Sequence, residues 1–266
     1  MLLALCLGPA LDFSIQTAVA QTWPSPRRPA ACLGEARSDR LQGLTPEGDL
    51  ILVSGQLARL SGIRLPDASP YREDAFSWLR ARSGEPALIK GPDRRDRWNR
   101  TSVRIHSSGD AALDWAHGLV EAGLALVDAG LDGVFCQPEL LALEATARER
   151  RLGVWADERY KPLDANQSGR LRERIGSFVL VEGRVRSIGE RKQRVYLNFG
   201  GLWAEDFTII IPRTTWKQML DRGLGTEALK GRRIRARGIL QPWQGTAFSI
   251  EMPDMIERLE GDRPAR

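Results

Sequence analysis

Asp49-Leu-Ile-Leu-Val-Ser-Gly-Gln-Leu-Ala-Arg-Leu-Ser-Gly-Ile63 holds two short apolar runs about a Ser54-Gly55 turn. Runs too short for a helix, joined where glycine lets the chain reverse, predict a β-hairpin. Outward from it, Ala87-Leu-Ile-Lys90 and Thr101-Ser-Val-Arg-Ile-His106 read as further strands. Glu73 to Ser83, with Ala75, Trp78 and Leu79 at helical spacing, reads as a helix before them. Ala111 to Ala129 and Pro138 to Arg151 read as amphipathic helices. The second has Pro138 at its start, where a missing N–H costs no hydrogen bond, and Gly153 past its end. Short strands followed by helices predict an α+β, mainly β unit at 41–160: a small barrel or sheet with helices on one side.

Polar residues from Tyr160 to Asn166, including Pro162, mark a linker, and 161–175 combines it with a short basic helix from Ser168 to Ile175. Beyond it, Phe178-Val-Leu-Val-Glu-Gly-Arg-Val-Arg-Ser-Ile188, Arg194-Val-Tyr-Leu-Asn-Phe199, Phe207-Thr-Ile-Ile-Ile211, Arg233-Ile-Arg-Ala-Arg-Gly-Ile-Leu240 and Ala247-Phe-Ser-Ile-Glu251 read as five strands. A helix over Thr215 to Arg222 separates the third from the fourth. That order predicts a second OB-like β-barrel at 176–260, a plan whose open face binds oligonucleotides or sugars. Period-two alternation sets Arg233, Arg235 and Arg237 on one face, either a polyanion-binding row or a merely solvated one. Tyr196, Phe199 and Trp203 stand near the second strand as stacking candidates, core packing being the alternative.

The chain of 266 residues is long enough for two domains, each with its own core. With 42% hydrophobic and 27% charged residues, and no apolar run near the ~18 needed to cross a bilayer, it reads as globular and without a membrane span. Residues 1–168 carry 20 basic and 22 acidic side chains, net −2, while residues 169–266 carry 19 and 12, net +7. Such asymmetry suggests that the C-terminal part meets a polyanion or has a basic solvated face.

The first twenty residues are apolar and end at Ala18-Val19-Ala20, a small-x-small site, so 1–20 reads as a signal peptide. A packed N-terminal helix is the alternative. Residues 21–40 form a proline-rich segment, since Pro24, Pro26 and Pro29 remove donors and fix their own backbone. Cleavage after Ala20 leaves Cys32 and Cys136, which can pair in an oxidising compartment and have no metal-binding spacing. The reading is a periplasmic or secreted protein with a Cys32–Cys136 disulfide.

No GxGxxG, P-loop, GxSxG or HExxH occurs, and His106 and His117 stand near no such motif. Each histidine reads as an ordinary side chain. Carboxylates and arginines remain, and an arginine suits phosphodiesters because its planar fork pairs two phosphate oxygens and stays charged.

Five segments then match one family in order and spacing: Glu47-Gly-Asp-Leu50, Ala58-Arg-Leu-Ser-Gly-Ile-Arg-Leu-Pro-Asp67, Asp96-Arg-Trp-Asn-Arg100, Gly123-Leu-Ala-Leu-Val127, and Glu144-Ala-Thr-Ala-Arg148 with Gly153-Val-Trp155. Through them, residues 48–155 resemble the staphylococcal-nuclease-like (thermonuclease) family. The resemblance implies an OB-like five-stranded barrel with flanking helices, and a Ca2+-dependent phosphodiesterase acting on DNA or RNA. It assigns Arg59 and Arg100 to phosphate, Asp67 to the general base in place of a longer glutamate, and Asp49 to calcium. Arg64 stands where the family has a second ligand aspartate, which removes a ligand and adds repulsion for a hard cation.

Two functional classes follow. The first is a thermonuclease-like endonuclease, with impaired or metal-independent catalysis. The second is a catalytically inactive nucleic-acid-binding module of the same fold. An envelope protein that binds acidic polysaccharide is a third reading.

Overall fold

The computed structural model describes Cys32 and residues 34–92, 94–109, 112–201 and 206–259. The expected signal peptide, the proline-rich stretch up to residue 31, and Trp203 lie outside the described residues.

The hairpin forms where the apolar runs place it. Strands β2 (Leu50–Leu52) and β3 (Leu57–Leu60) pair antiparallel, with Leu50 opposite Ala58, and Gly55 in the turn has φ +81°. With β1 (Ala36–Leu44), β5 (Pro86–Lys90) and β6 (Arg100–Ser107), the hairpin closes into a five-stranded ring in the order β1-β2-β3-β6-β5. Every pair in the ring is antiparallel except β3 and β6, which run parallel with Arg59 opposite Ser102. Alternation along β6 sends Thr101, Val103 and Ile105 inward, where they meet Leu41, Leu50 and Ile89, and Arg100, Ser102, Arg104 and His106 outward.

A two-residue strand β4 (Ile63–Arg64) and helix α1 (Tyr71–Arg80) follow the hairpin. The helix expected over 111–129 is shorter. Helix α2 spans Trp115–Glu121, capped by the Asp114 side chain, which accepts from the His117 N–H. Gly123, at φ +69°, ends it, and a Cβ there would sit 2.2 Å from the Leu152 carbonyl oxygen. The chain re-extends as β7 (Leu126–Val127), pairing with β4. Both β7 side chains are buried, so their sequence has no alternation to tell strand from helix. Helix α3 (Leu140–Glu149) falls within its expected range.

The C-terminal half is α+β as well, and its strands divide between two sheets. Strands β8 (Leu163–Asp164), β9 (Phe178–Arg184), β13 (Arg233–Ile239) and β16 (Ile256–Arg258) form one, in the order β16-β13-β9-β8. The other, mixed sheet runs β10-β11-β12-β15-β14, from β10 (Ser187–Glu190), β11 (Arg194–Asn198), β12 (Phe207–Pro212), β14 (Gln241–Trp243) and β15 (Gly245–Ser249). Helices α4 (Ser168–Glu173), α5 (Arg213–Asp221) and α6 (Thr226–Leu229) complete it. The strand expected over 178–188 is split into β9 and β10, which belong to different sheets, and the other four expected strands are present. Strands β8, β14 and β16 are additions, each too short or too polar to show an apolar run. The core continues across 161–175, where Leu180 of β9 packs with Leu126, Val154 and Trp155.

Cys32 and Cys136 form a disulfide, consistent with an extracytoplasmic protein. Among the described residues no helix is long and apolar enough to cross a membrane.

Candidate functional site

The outward faces of β3 and β6, with residues 91–92, 94–98 and 131–136, enclose a cleft of about 860 Å³. Seven Lys and Arg side chains line it against two aspartates, Asp96 and Asp132. The parallel β3–β6 pairing accounts for this, because it sets Arg59 beside the outward row of β6.

Arg100 is the most constrained of these cations. Asp96 accepts from its Nε at 2.9 Å and its Nη2 at 2.8 Å, and Asp49 accepts from Nη1 at 3.1 Å. Asp96 also accepts from the backbone N–H groups of Trp98 and Arg100. Burial would raise the Asp96 carboxyl, but the hydrogen bonds from Arg100 and the two amides outweigh it and hold its pKa below the ordinary value. Burial likewise works against the Arg100 charge, and the two aspartates overcome it, so the Arg100 pKa is raised. Trp98 is 56% exposed, with the Arg97 guanidinium 3.8 Å and that of Arg100 4.7 Å from its ring centroid.

Arg59 donates to Asp132 at 2.8 Å, and Asp132 also accepts from Ser102 Oγ at 2.6 Å and the Gly62 N–H at 3.0 Å. Lys90 stands opposite Arg104 on the β5–β6 ladder and is exposed. Cys32 and Cys136 both line the cleft, so the disulfide closes one side of it.

The other expected residues lie apart from this cleft. Asp67 is exposed and accepts from Tyr160 Oη at 3.2 Å. Burial, then the Asp67 charge, pushes the Tyr160 phenol up to about 12. Arg64 donates through Nε and Nη2 to Asp128, at 3.1 and 2.8 Å, and its guanidinium lies 5.0 Å from the centre of the Phe178 ring. The oxygen donors therefore do not suit a calcium ion: Asp49 is held by Arg100, and Arg64, where the resemblance implies a second ligand, is a guanidinium. A hard cation needs six to eight oxygens and no neighbouring guanidinium.

The arginine row on β13 needs correction. Arg237 is fully buried; it donates to the Val127 carbonyl at 3.0 Å and to Glu144 at 2.8 Å, and pairs with Glu257. Arg235 donates to Glu182 at 2.7 Å, and Arg233 to the same carboxylate at 3.2 Å. Glutamates from β9, β16 and α3 neutralise this face, which alternation within one strand cannot reveal. Phe199 is buried against Phe207, with centroids 5.3 Å apart, and Tyr196 is half-buried.

Lys90, Arg104 and Asp132 enter the cleft without having been singled out in the sequence, and His106, read there as an ordinary side chain, lines it too. The alternation Arg100-x-Ser-x-Arg-x-His106 is the signal that carries the four β6 positions. No family model matches this chain, and no curated protein matches it.

Proposed function

We propose that this cleft binds the phosphodiester backbone of DNA or RNA, and that residues 41–160 form a nuclease-like, OB-like domain followed by a second OB-like unit at 176–260. One observation carries the reading: Arg59 and Arg100, 41 positions apart, converge with Lys90 and Arg104 on one outward strand face beside an exposed tryptophan. Cations along a backbone track with an aromatic platform are the chemistry of single-strand binding. The disulfide supports a periplasmic or secreted location for this activity.

The same geometry favours binding over calcium-dependent hydrolysis. The residue at the general-base position, Asp67, is engaged by Tyr160 away from the cleft cations, and Asp49 serves Arg100 as a counterion. A base must reach the proton that it abstracts.

Fluorescence anisotropy on labelled single-stranded and double-stranded DNA and RNA tests the reading. Affinity is expected to fall steeply between roughly 50 and 200 mM salt. Arg59→Ala and Arg100→Ala are each expected to weaken binding about tenfold and to reduce the salt slope by about one. Binding that is absent at low salt, or that is unchanged in both variants, overturns it.

A further inference from the structure

Four outward positions of β6 line the cleft, and the last of them is His106. Its Nε2 lies 3.6 Å from Asp114 Oδ2, just beyond hydrogen-bond range. Asp114 is 6% exposed and rigidly held: Oδ2 accepts from Arg104 Nε at 2.6 Å and Gln137 Nε2 at 3.0 Å, and Oδ1 accepts from the His117 N–H at 3.1 Å. A carboxylate held this close to one imidazole nitrogen can orient the ring once the two close to hydrogen-bond distance, leaving the other nitrogen to accept a proton as a general base does. Lys90 stands opposite Arg104 in the ladder, two positions along the same outward face from Leu88, which faces His106.

We propose that His106 is the general base of a metal-free cleavage of RNA in this cleft, with Asp114 as its positioning residue and Lys90 facing the phosphate. The proposal rests on the nucleic-acid-binding reading above. The 2′-hydroxyl of the bound strand gives its proton to the free His106 nitrogen, and its oxygen bonds to the adjacent phosphorus. The bond from phosphorus to the 5′-oxygen breaks. That oxygen takes a proton from solvent water, and the imidazolium returns its proton to the hydroxide so formed. The products are a 2′,3′-cyclic phosphate and a 5′-hydroxyl. DNA, without a 2′-hydroxyl, is bound and left intact.

The surroundings suit a base. Burial lowers the His106 pKa from 6.5, and although the Asp114 charge raises it, Arg104, Lys90 and His117 add to the lowering. Glu139, at the start of α3, faces His117 and Arg104 at 3.4 and 3.7 Å and completes the set of charged groups here. The lowered pKa favours the unprotonated imidazole, the form a base needs.

The test uses the full disulfide-bonded protein, an RNA oligonucleotide and its 2′-O-methylated counterpart, all with chelator present. The wild type is expected to cut RNA, to leave cyclic phosphate ends, and to bind the methylated strand without cutting it. His106→Ala is expected to cut about 10²–10⁴ times more slowly while still binding the methylated strand, with added imidazole restoring part of the rate. Methylated RNA that binds beside unmethylated RNA that stays whole overturns the proposal and leaves the binding reading standing. Equal cutting by His106→Ala does the same. Failure to bind any strand overturns both. If the variant does not fold, the wild-type pH profile decides: the rate must rise through one deprotonation in the imidazole range, and a flat profile overturns the proposal.

Discussion

Arg237 and Glu144, 93 residues apart, meet at 2.8 Å with neither side chain exposed to solvent. Glu144 also accepts from the Val127 N–H at 2.7 Å, so one carboxylate ties β13, β7 and α3 together. Burial opposes the Arg237 charge, and the charges of Glu144 and Glu257 outweigh it. The pair joins the two halves of the chain where the arginine row was expected to face solvent.

Glu144→Ala is expected to destabilise the protein by about 3–5 kcal/mol, because it leaves a buried guanidinium short of a counterion. The double variant Arg237→Met with Glu144→Leu is expected to lose less, since no charge is stranded. Urea unfolding of the three proteins measures it. A double variant weaker than Glu144→Ala would show that the ion pair itself, and not the stranded charge, sets the cost.

Calcium is expected to leave the melting temperature unchanged, since a ligand stabilises only as far as it prefers the native state. Arg64→Asp, which puts an acidic residue at that position, is expected to destabilise the protein by about 1–3 kcal/mol instead of building a calcium site. Its guanidinium is the partner of Asp128, a residue 5% exposed. Melts of both proteins with and without calcium check this; a wild type that melts markedly higher with calcium would contradict it.

The pH dependence of stability is expected to carry an Asp96 component. Its folded pKa lies below the unfolded value near 3.8, so its contribution is present above that value and is lost as pH falls through the folded pKa. Asp96→Asn is expected to be less stable at neutral pH and to lose less on acidification below 3.8. Urea midpoints across that range give the difference between the two slopes, and parallel curves would remove Asp96 from the account.

Reduction, or the Cys32→Ser with Cys136→Ser double variant, is expected to cost about 4–5 kcal/mol in the chain-entropy account of a loop spanning 104 positions. It is also expected to weaken oligonucleotide binding, because the bond closes one side of the cleft and anchors the loop that carries Asp132. Denaturant curves and anisotropy with and without reductant read both effects. A reduced protein with unchanged stability would place the bond outside the cooperative unit.

Local pattern by itself determined the strands with marked apolar runs and most helices of this chain, while β1 and the short strands β4, β7, β8, β14 and β16 escaped it. Apolar runs about Ser54-Gly55 are too short for anything but a hairpin, and alternation along Arg100-x-Ser-x-Arg-x-His106 assigns each side chain to core or solvent. Of three cysteines, Cys6 lies in the expected signal peptide, and the disulfide between the other two, Cys32 and Cys136, was legible from parity and compartment. Tertiary structure alone decided which residues meet. Arg59 and Arg100 share a cleft because β3 and β6 pair in parallel, whereas Asp67 and Arg64 are drawn off by Tyr160 and Asp128. Arg237 is buried because its counterions come from α3 and β16, far away in sequence. Short-range periodicity fixes the direction in which a side chain leaves its own strand, but the partner that neutralises it is supplied by long-range packing, which no local pattern encodes.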